Sequence, residues 1–393
     1  MMQGIVYRKN DITVCCAPMT DEERLYAIAV SLVSSPAANN IWDMISMSTP
    51  AQIYDRISRD QSKTTQNYLA DVYSSNPLEA AKKIMEKAAA ASTVILSYWD
   101  DAYPPLLREI QMPPLVLYVR GAIDAGRAVA VVGTRKSDTR SAAHARRIAG
   151  DLAANGFTVV SGMAIGIDRE AHLGSLEARG KTIGILANGI DIVYPWANRD
   201  LYHAIVASKG SGLVSEYPPG IRAGRWTFVR RNRIISGLCA GTVVVKAGRR
   251  SGALITARHA IEQNREVFAC VGNTFDDEYA GCHELIRTGA VLVSRSEDII
   301  TGLSGFTGCI DTPVTTGGVI IRQNDSDQTL VAEEANETNT LQRRILLFIS
   351  THDCEIDSII RQFEATPSEV HEAIMELELS GMIIRNGNII SRL

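Results

Sequence analysis

No CxxC pair occurs among the seven cysteines, which stand at 15, 16, 239, 270, 282, 309 and 354. Such thin spacing, with an odd number, excludes a disulfide framework and predicts reduced, mostly buried thiols in a cytoplasmic protein. Cys282-His283 has no partner at ligand spacing, so no metal site is expected. An uninterrupted apolar run of about 18 residues is also lacking, which argues against a membrane span. Residues 1–16 carry Arg8, Lys9 and Asp11 and have no apolar core, so they do not read as a secretory signal. Neither charge is in excess: Lys+Arg 40 against Asp+Glu 44 gives a net charge of -4. A polyanion partner would therefore have to be met by a local patch. What remains is an ordinary globular composition, 46% hydrophobic and 21% charged over 393 residues. At about 150 residues each, that length holds roughly two to three domains.

Three zones separate along the chain. Residues 1–95 predict a helical N-terminal domain. Asp21 stands where a helix cap belongs, before Leu25, Ile28, Ala29 and Leu32 at helical spacing, and 80–91 is rich in Ala and Lys. A connector, 96–121, holds Pro104-Pro105 and Pro113-Pro114, which favour extended backbone. From there to 302, short apolar runs alternate with Gly loops and helical patterns. The predicted strands are 128–132, 158–160, 182–186, 212–215, 242–246, 267–271 and 291–293. Most are apolar throughout, as strands buried on both faces of a parallel sheet are. Alternating strand and helix predicts a doubly wound α/β domain. Residues 303–340 hold six acids against Arg322 alone and read as an acidic flexible linker. Residues 341–393 read as three helices and a hairpin turning at Asn386-Gly387, the outline of a winged helix.

In an open α/β sheet, ligands bind beyond the carboxyl ends of the strands. Four segments belong there: 133–137, 161–168, 228–233 (read as a loop) and 248–252. Each pairs small or polar residues with a helix start, where backbone N–H groups and the helix dipole favour an anion. Tight turns and caps are the better explanation of any one of them taken alone. The charge pattern distinguishes the two explanations. Arg222, Arg225, Arg230, Arg231, Arg233, Lys246, Arg249, Arg250 and Arg258 fall within 37 residues that contain no acid. Arginine suits bidentate phosphate contact, and Trp226 and Phe228 within the run offer stacking faces. Catalytic patterns are missing: there is no GxGxxG after the first strand, no GxSxG and no HExxH. Asp168, Glu170 and His172 cluster at a helix start, and the plainest reading is a cap with a carboxylate–imidazole pair.

With these motifs in hand, the chain resembles the DprA/Smf family of bacterial DNA-processing proteins over about 98–300. The resemblance rests on VVGTR (131–135), SGMAIGID (161–168) followed by Ala171-His172, and GILANGID with Tyr194-Pro195. LVSEYP (213–218), RNRIISGL (231–238), SGALITA (251–257) and LIRTGA (285–290) continue it in the same order. It implies an extended Rossmann-like sheet that binds single-stranded DNA and helps load the RecA recombinase during uptake or recombination. It also implies a homodimer and no enzymatic turnover; no cofactor is expected, since no GxGxxG follows the first strand. The DNA site it implies, together with the basic run, comprises Gly133, Thr134, Arg135, Ser137, Ser161, Gly162, Arg230, Arg231, Asn232, Arg233, Lys246, Arg250, Ser251, Gly252 and Thr256. The arginines would meet phosphates, and the Gly loops would offer their N–H groups to phosphate oxygens.

The chain departs from the family pattern at Ile165 (family Arg), Lys246 (family Glu), and Val229 and Val271 (family Pro). Those changes rearrange the local charge and fit a diverged paralogue, for example in a phage-defence or mobile-element locus. Two other readings stay open: a nucleotide-ligand sensor on the same fold, and an antitoxin-like regulatory partner. The winged helix has five bases against eight acids, and its predicted third helix carries Glu369, Glu372, Glu376 and Glu378 without a base. A groove-reading helix needs the opposite sign. It is expected to bind protein, or the chain's own basic patch, and not duplex DNA.

Overall fold

The architecture is that of a computed structural model, which describes residues 19–33, 40–45, 48–59 and 73–304. Toward the C-terminus it describes 354–355, 370, 374, 383–386 and 389–392. The chain divides into two compact units, Met1–Leu117 and Tyr118–Leu393.

The first unit is built from helices α1 (Asp21–Val33), α2 (Asn40–Ile45), α3 (Pro50–Arg59) and α4 (Pro77–Ala90), followed by β1 (Val94–Ser97) and the short α5 (Pro105–Arg108). α1 buries Ala27, Ile28, Ala29, Val30 and Leu32. Its cap is Thr20, one residue earlier than expected. The Thr20 hydroxyl accepts from the Glu23 amide while the Glu23 carboxylate accepts from the Thr20 amide, a reciprocal capping box. α4 starts at Pro77 behind Asn76, whose side chain accepts from the Leu78 and Glu79 amides.

The second unit begins within β2 (Val116–Gly121) and holds β3 (Ala128–Val132), α6 (Thr139–Ala154), β4 (Thr158–Ser161), α7 (Ile167–Glu177), β5 (Thr182–Leu186), α8 (Arg199–Ala207) and β6 (Gly212–Ser215). It continues with α9 (Arg225–Gly237), β7 (Gly241–Val244), α10 (Ala253–Glu262), β8 (Glu266–Cys270), α11 (Ala280–Arg287), β9 (Val291–Val293) and α12 (Ser296–Leu303). Its sheet runs β2-β6-β5-β4-β3-β7-β8-β9. All neighbours are parallel except β2, which lies antiparallel to β6. The doubly wound, mostly parallel sheet expected from the sequence is therefore present. β2 was hidden in the proline-bearing connector, because an antiparallel strand next to prolines does not repeat the βα pattern.

α6 and α12 supply Ala145, Ile148, Leu152, Ile299 and Leu303 to a core that includes Val129, Val131, Val243 and Phe268. α9 packs on β5, and α10 on β7 and β8. Cys239, Cys270 and Cys282 are buried free thiols, and burial pushes Cys282 up to about 11. Among the described residues no helix is long and apolar enough to cross a membrane.

Of the winged-helix region, β10 (Cys354–Glu355), β11 (Ile383–Asn386) and β12 (Ile389–Arg392) form a small antiparallel sheet. The hairpin is present, but Asn386 is a strand residue paired with Ile389. Its connection therefore falls on 387–388, outside the described residues. Val370 and Ile374 of the expected third helix are helical and buried. The other two expected helices, and the linker beyond 304, lie outside the described residues.

Candidate nucleic-acid interface

Strand order reverses at β3. Successive strands β4, β5 and β6 lie on one side of it, and β7 lies on the other. In open sheets of this kind the ligand crevice lies at such a switch point, here at the carboxyl edge between the loops after β3 and β7. The crevice is closed at its base by backbone. The Val245 amide donates to Val132 at 3.0 Å, and the Thr134 amide donates to Lys246 at 2.8 Å. Gly133 and Gly162 are needed for close packing here. A Cβ on Gly133 would lie 2.7 Å from Ile167, and one on Gly162 would lie 2.7 Å from both Arg231 and Asp168.

Residues 228–233, expected as a loop, lie inside helix α9. Gly224 starts that helix, with the Thr227 hydroxyl accepting from the Gly224 amide at 2.9 Å and donating to its carbonyl at 2.7 Å. Two of its inward residues are Arg231 and Arg233, which break the apolar period that marks a helix in a sequence.

Each inward base meets an acid or a carbonyl. Arg231, 4% exposed, donates from Nη1 to the carbonyls of Gly162, at 2.6 Å, and Ile185. Burial lowers it to about 10, against the pull of Asp168, so it stays charged at neutral pH. Burial also raises the Asp168 carboxyl, while Arg231 and the Ala164 and Gly162 amides oppose the rise. Arg233 and Arg230 both bind Glu216, at 2.6 and 2.8 Å. Burial works against the Glu216 charge, but the two guanidiniums outweigh it and hold the carboxyl below its usual range. Lys246 is buried, with Nζ 2.6 Å from Asp138 and 3.0 Å from Asp276.

The loop hydroxyls and several amides are likewise spent within the protein. Ser161 is fully buried and donates to the Val131 carbonyl at 2.7 Å. Thr134 is buried, and its hydroxyl accepts from the Lys136 amide at 3.1 Å. Ser137 is half-buried on the same loop. The Ser251 hydroxyl accepts from Ala253 at 3.4 Å, and Thr256 is buried on α10. His172 does not pair with Asp168. Its Nδ1 meets the Thr182 hydroxyl at 2.6 Å, and that hydroxyl donates onward to Val159. α7 is capped by Gly166 and begins at Ile167, so Asp168 lies inside the helix and is not its cap.

What faces outward is different. Arg135 is exposed over the Phe228 ring at 4.9 Å, and Tyr194 packs on Phe228 at 5.8 Å. Asn232, half-buried, donates to the Gly252 carbonyl at 3.4 Å, linking α9 to the loop after β7. Arg225, Arg249 and Arg250 are exposed, as is Gly252, where an added Cβ would meet nothing within 4 Å. Among the described residues none of these four arginines makes an ion pair with an acid, and neither do Arg222 and Arg258, which are also exposed. The structure thus brings 133–137, 161–162, 231–232 and 251–252 around one crevice. It turns Arg230 and Arg233 toward Glu216, on the other flank of α9. The basic run did not reveal Asp138, Glu216 and Asp276 as the counter-charges, because they come from outside it. Among the described residues no cluster of metal-ligating side chains occurs.

A family model described as DNA recombination-mediator protein A matches residues 94–304, and one described as DprA winged helix domain matches 332–387. DNA processing protein DprA of Bacillus subtilis is 36% identical over 263 residues, 66% of this chain and 86% of that protein. Protein Smf of Synechocystis is 32% identical over 311 residues, 72% of this chain and 76% of that protein. The X-ray structure of DNA processing protein A from Streptococcus pneumoniae superposes with a TM-score of 0.56 at 31% identity, covering 72% of this chain and 98% of that one.

Proposed function

The chain belongs to the DNA recombination-mediator protein A (DprA/Smf) family, and from that premise we propose that it binds single-stranded DNA along the carboxyl edge of its sheet and hands it to a RecA-type recombinase. One observation supports this reading above the rest. At this edge Asp138, Glu216 and Asp276 are engaged by Lys246, Arg230 and Arg233, while Arg135, Arg225, Arg249 and Arg250 stand exposed without acid partners among the described residues. The inward bases hold the scaffold, and the outward ones remain available to phosphate. Arg231, Arg233 and Lys246 thereby act as positioning residues. The contacting set comprises Arg135, Arg225, Arg249, Arg250, the 133–135 loop and Gly252.

The work is binding and presentation, without turnover. A homodimer belongs to the same reading: edge strand β9 exposes Leu292 beside Val271, a surface suited to a second copy.

A salt titration of an unstructured oligonucleotide against a duplex of equal length tests the reading. Single-strand affinity should fall steeply with salt, and Arg135→Ala should weaken binding and flatten the slope. Absence of single-strand binding at low salt overturns it. Tight, saturable mononucleotide binding with a shallow slope would favour a nucleotide sensor instead.

A further inference from the structure

Helix α9 carries a second feature, on the flank turned away from the crevice. Trp226 and Val229 are large apolar side chains left 50% and 45% exposed. They stand three residues apart, so they are neighbours on the helix surface. With Arg225 and Arg230 they line an open depression of about 600 Å³. A single exposed apolar side chain needs no explanation, but a concave apolar pair framed by guanidiniums does.

The walls of the depression are set in place. Tyr217, itself buried, meets the Trp226 ring edge-on at 5.6 Å and 86°, which fixes the orientation of the indole. Arg230 is held by Glu216 at 2.8 Å, and Glu216 also binds Arg233 at 2.6 Å. Arg225 is exposed and makes no ion pair among the described residues.

We propose that this depression is a nucleobase subsite, in which one base of a single-stranded DNA stacks on Trp226 against Val229 while a neighbouring phosphate lies on Arg225. The inference rests on the DNA-binding reading above and extends it beyond the crevice. A helix with its side chains is about 10–12 Å across. A strand crossing α9 from Phe228 and Asn232 to Trp226 would span about three nucleotides at a stacked spacing of about 3.4 Å. A flat indole accepts any base face, so the subsite adds affinity without sequence preference. An acidic peptide would satisfy the charge but would not need the indole plane.

The test uses the full chain with an unstructured oligothymidine, and with the same oligonucleotide carrying a run of abasic sites. Trp226→Ala should weaken binding to oligothymidine about 5- to 150-fold, the worth of one stacked base. The slope of log K against log salt should stay unchanged, because no phosphate contact is lost. Trp226→Phe should retain most of the affinity. On the abasic strand Trp226→Ala should cost nothing further. Arg225→Ala should weaken both strands and flatten the slope by about 0.7. An equal loss from Trp226→Ala on both strands would show the indole to be structural and overturn the subsite. Unchanged affinity of Trp226→Ala where Arg135→Ala binds weakly would overturn the subsite alone. Failure of the full chain to bind any single strand overturns both readings.

Discussion

The ammonium of Lys246 is held by two carboxylates from distant parts of the chain, Asp138 on the loop after β3 and Asp276 on the loop after β8. The Lys246 hydrogen bond, aided by the Ser141 amide, holds the Asp138 carboxyl well below its usual range. Burial opposes the Lys246 charge, but its two hydrogen bonds outweigh that and raise it. The sign follows. The bridge contributes fully above the unfolded carboxylate value of about 4 and is lost as pH falls through the lower folded values. Lys246→Met should therefore lower the urea midpoint at pH 7, and the difference should narrow below about pH 3. A second group titrates in the opposite sense. His172 is fully buried, and burial, with Arg231 nearby, lowers it to about 3. The unfolded chain takes up that proton near pH 6.5 and the folded chain does not until about 3. Stability should fall as pH drops through that window, by up to about 1.4 kcal/mol per pH unit. His172→Gln should remove close to one proton from the slope of stability between pH 6 and pH 4, measured by denaturant titration. At this scale the sequence was half legible. Lys246 and Arg231 stood out as bases, but their burial did not, because the groups that neutralise them are contributed by the fold.

Among elements, the strands read well and α9 did not. Strands 128–132, 182–186, 212–215 and 291–293 appear with their expected bounds, since an apolar run between glycines is a local property. α9 reads as a polar loop until Glu216 and the carbonyls of Gly162 and Ile185 are placed beneath it. The loops on either side of the crevice carry glycines of two kinds, and this separates scaffold from contact surface. Gly162 makes room for Arg231 and Asp168, which approach to 2.7 Å of any added Cβ. Gly252 has a backbone φ of -61 and open space around it. Gly162→Ala should therefore destabilise the second unit and displace Arg231, with the loss visible in a thermal melt before any DNA is added. Gly252→Ala should melt within about 1 kcal/mol of the parent, the scale of a helix-cap change. If single-stranded DNA passes over the start of α10, that same variant should still bind it several-fold more weakly. Normal DNA affinity in Gly252→Ala would move the path of the strand away from this loop.

Across the whole molecule the net charge of -4 conceals a division. Residues 303–340 hold one base and six acids, and 341–393 hold five bases and eight acids, so 303–393 sum to -8 and residues 1–302 to +4. A chain whose body is positive and whose C-terminal part is negative repels DNA with one part and attracts it with the other. Repulsion of this kind acts over the Debye length, about 10 Å at 0.1 M salt and about 3 Å at 1 M. A chain ending at Ser304 keeps every arginine of the crevice and all of the 94–304 family match, and loses the negative part. It should bind an unstructured oligonucleotide several-fold more tightly than the full chain at 50 mM salt. The two affinities should converge as salt approaches 1 M. The four arginines of the proposed contact set put the expected slope of log K against log salt at about -3 for the truncated form, at about 0.7 per phosphate. The winged-helix region follows the same electrostatics. On its own, 341–393 should show no duplex affinity comparable to that of the full chain, because its acids outnumber its bases. Duplex binding by that fragment equal to the full chain's would show that the sign of its charge does not govern what it meets. A truncated form that binds no more tightly at low salt would show that the negative part stays beyond screening range of the DNA path.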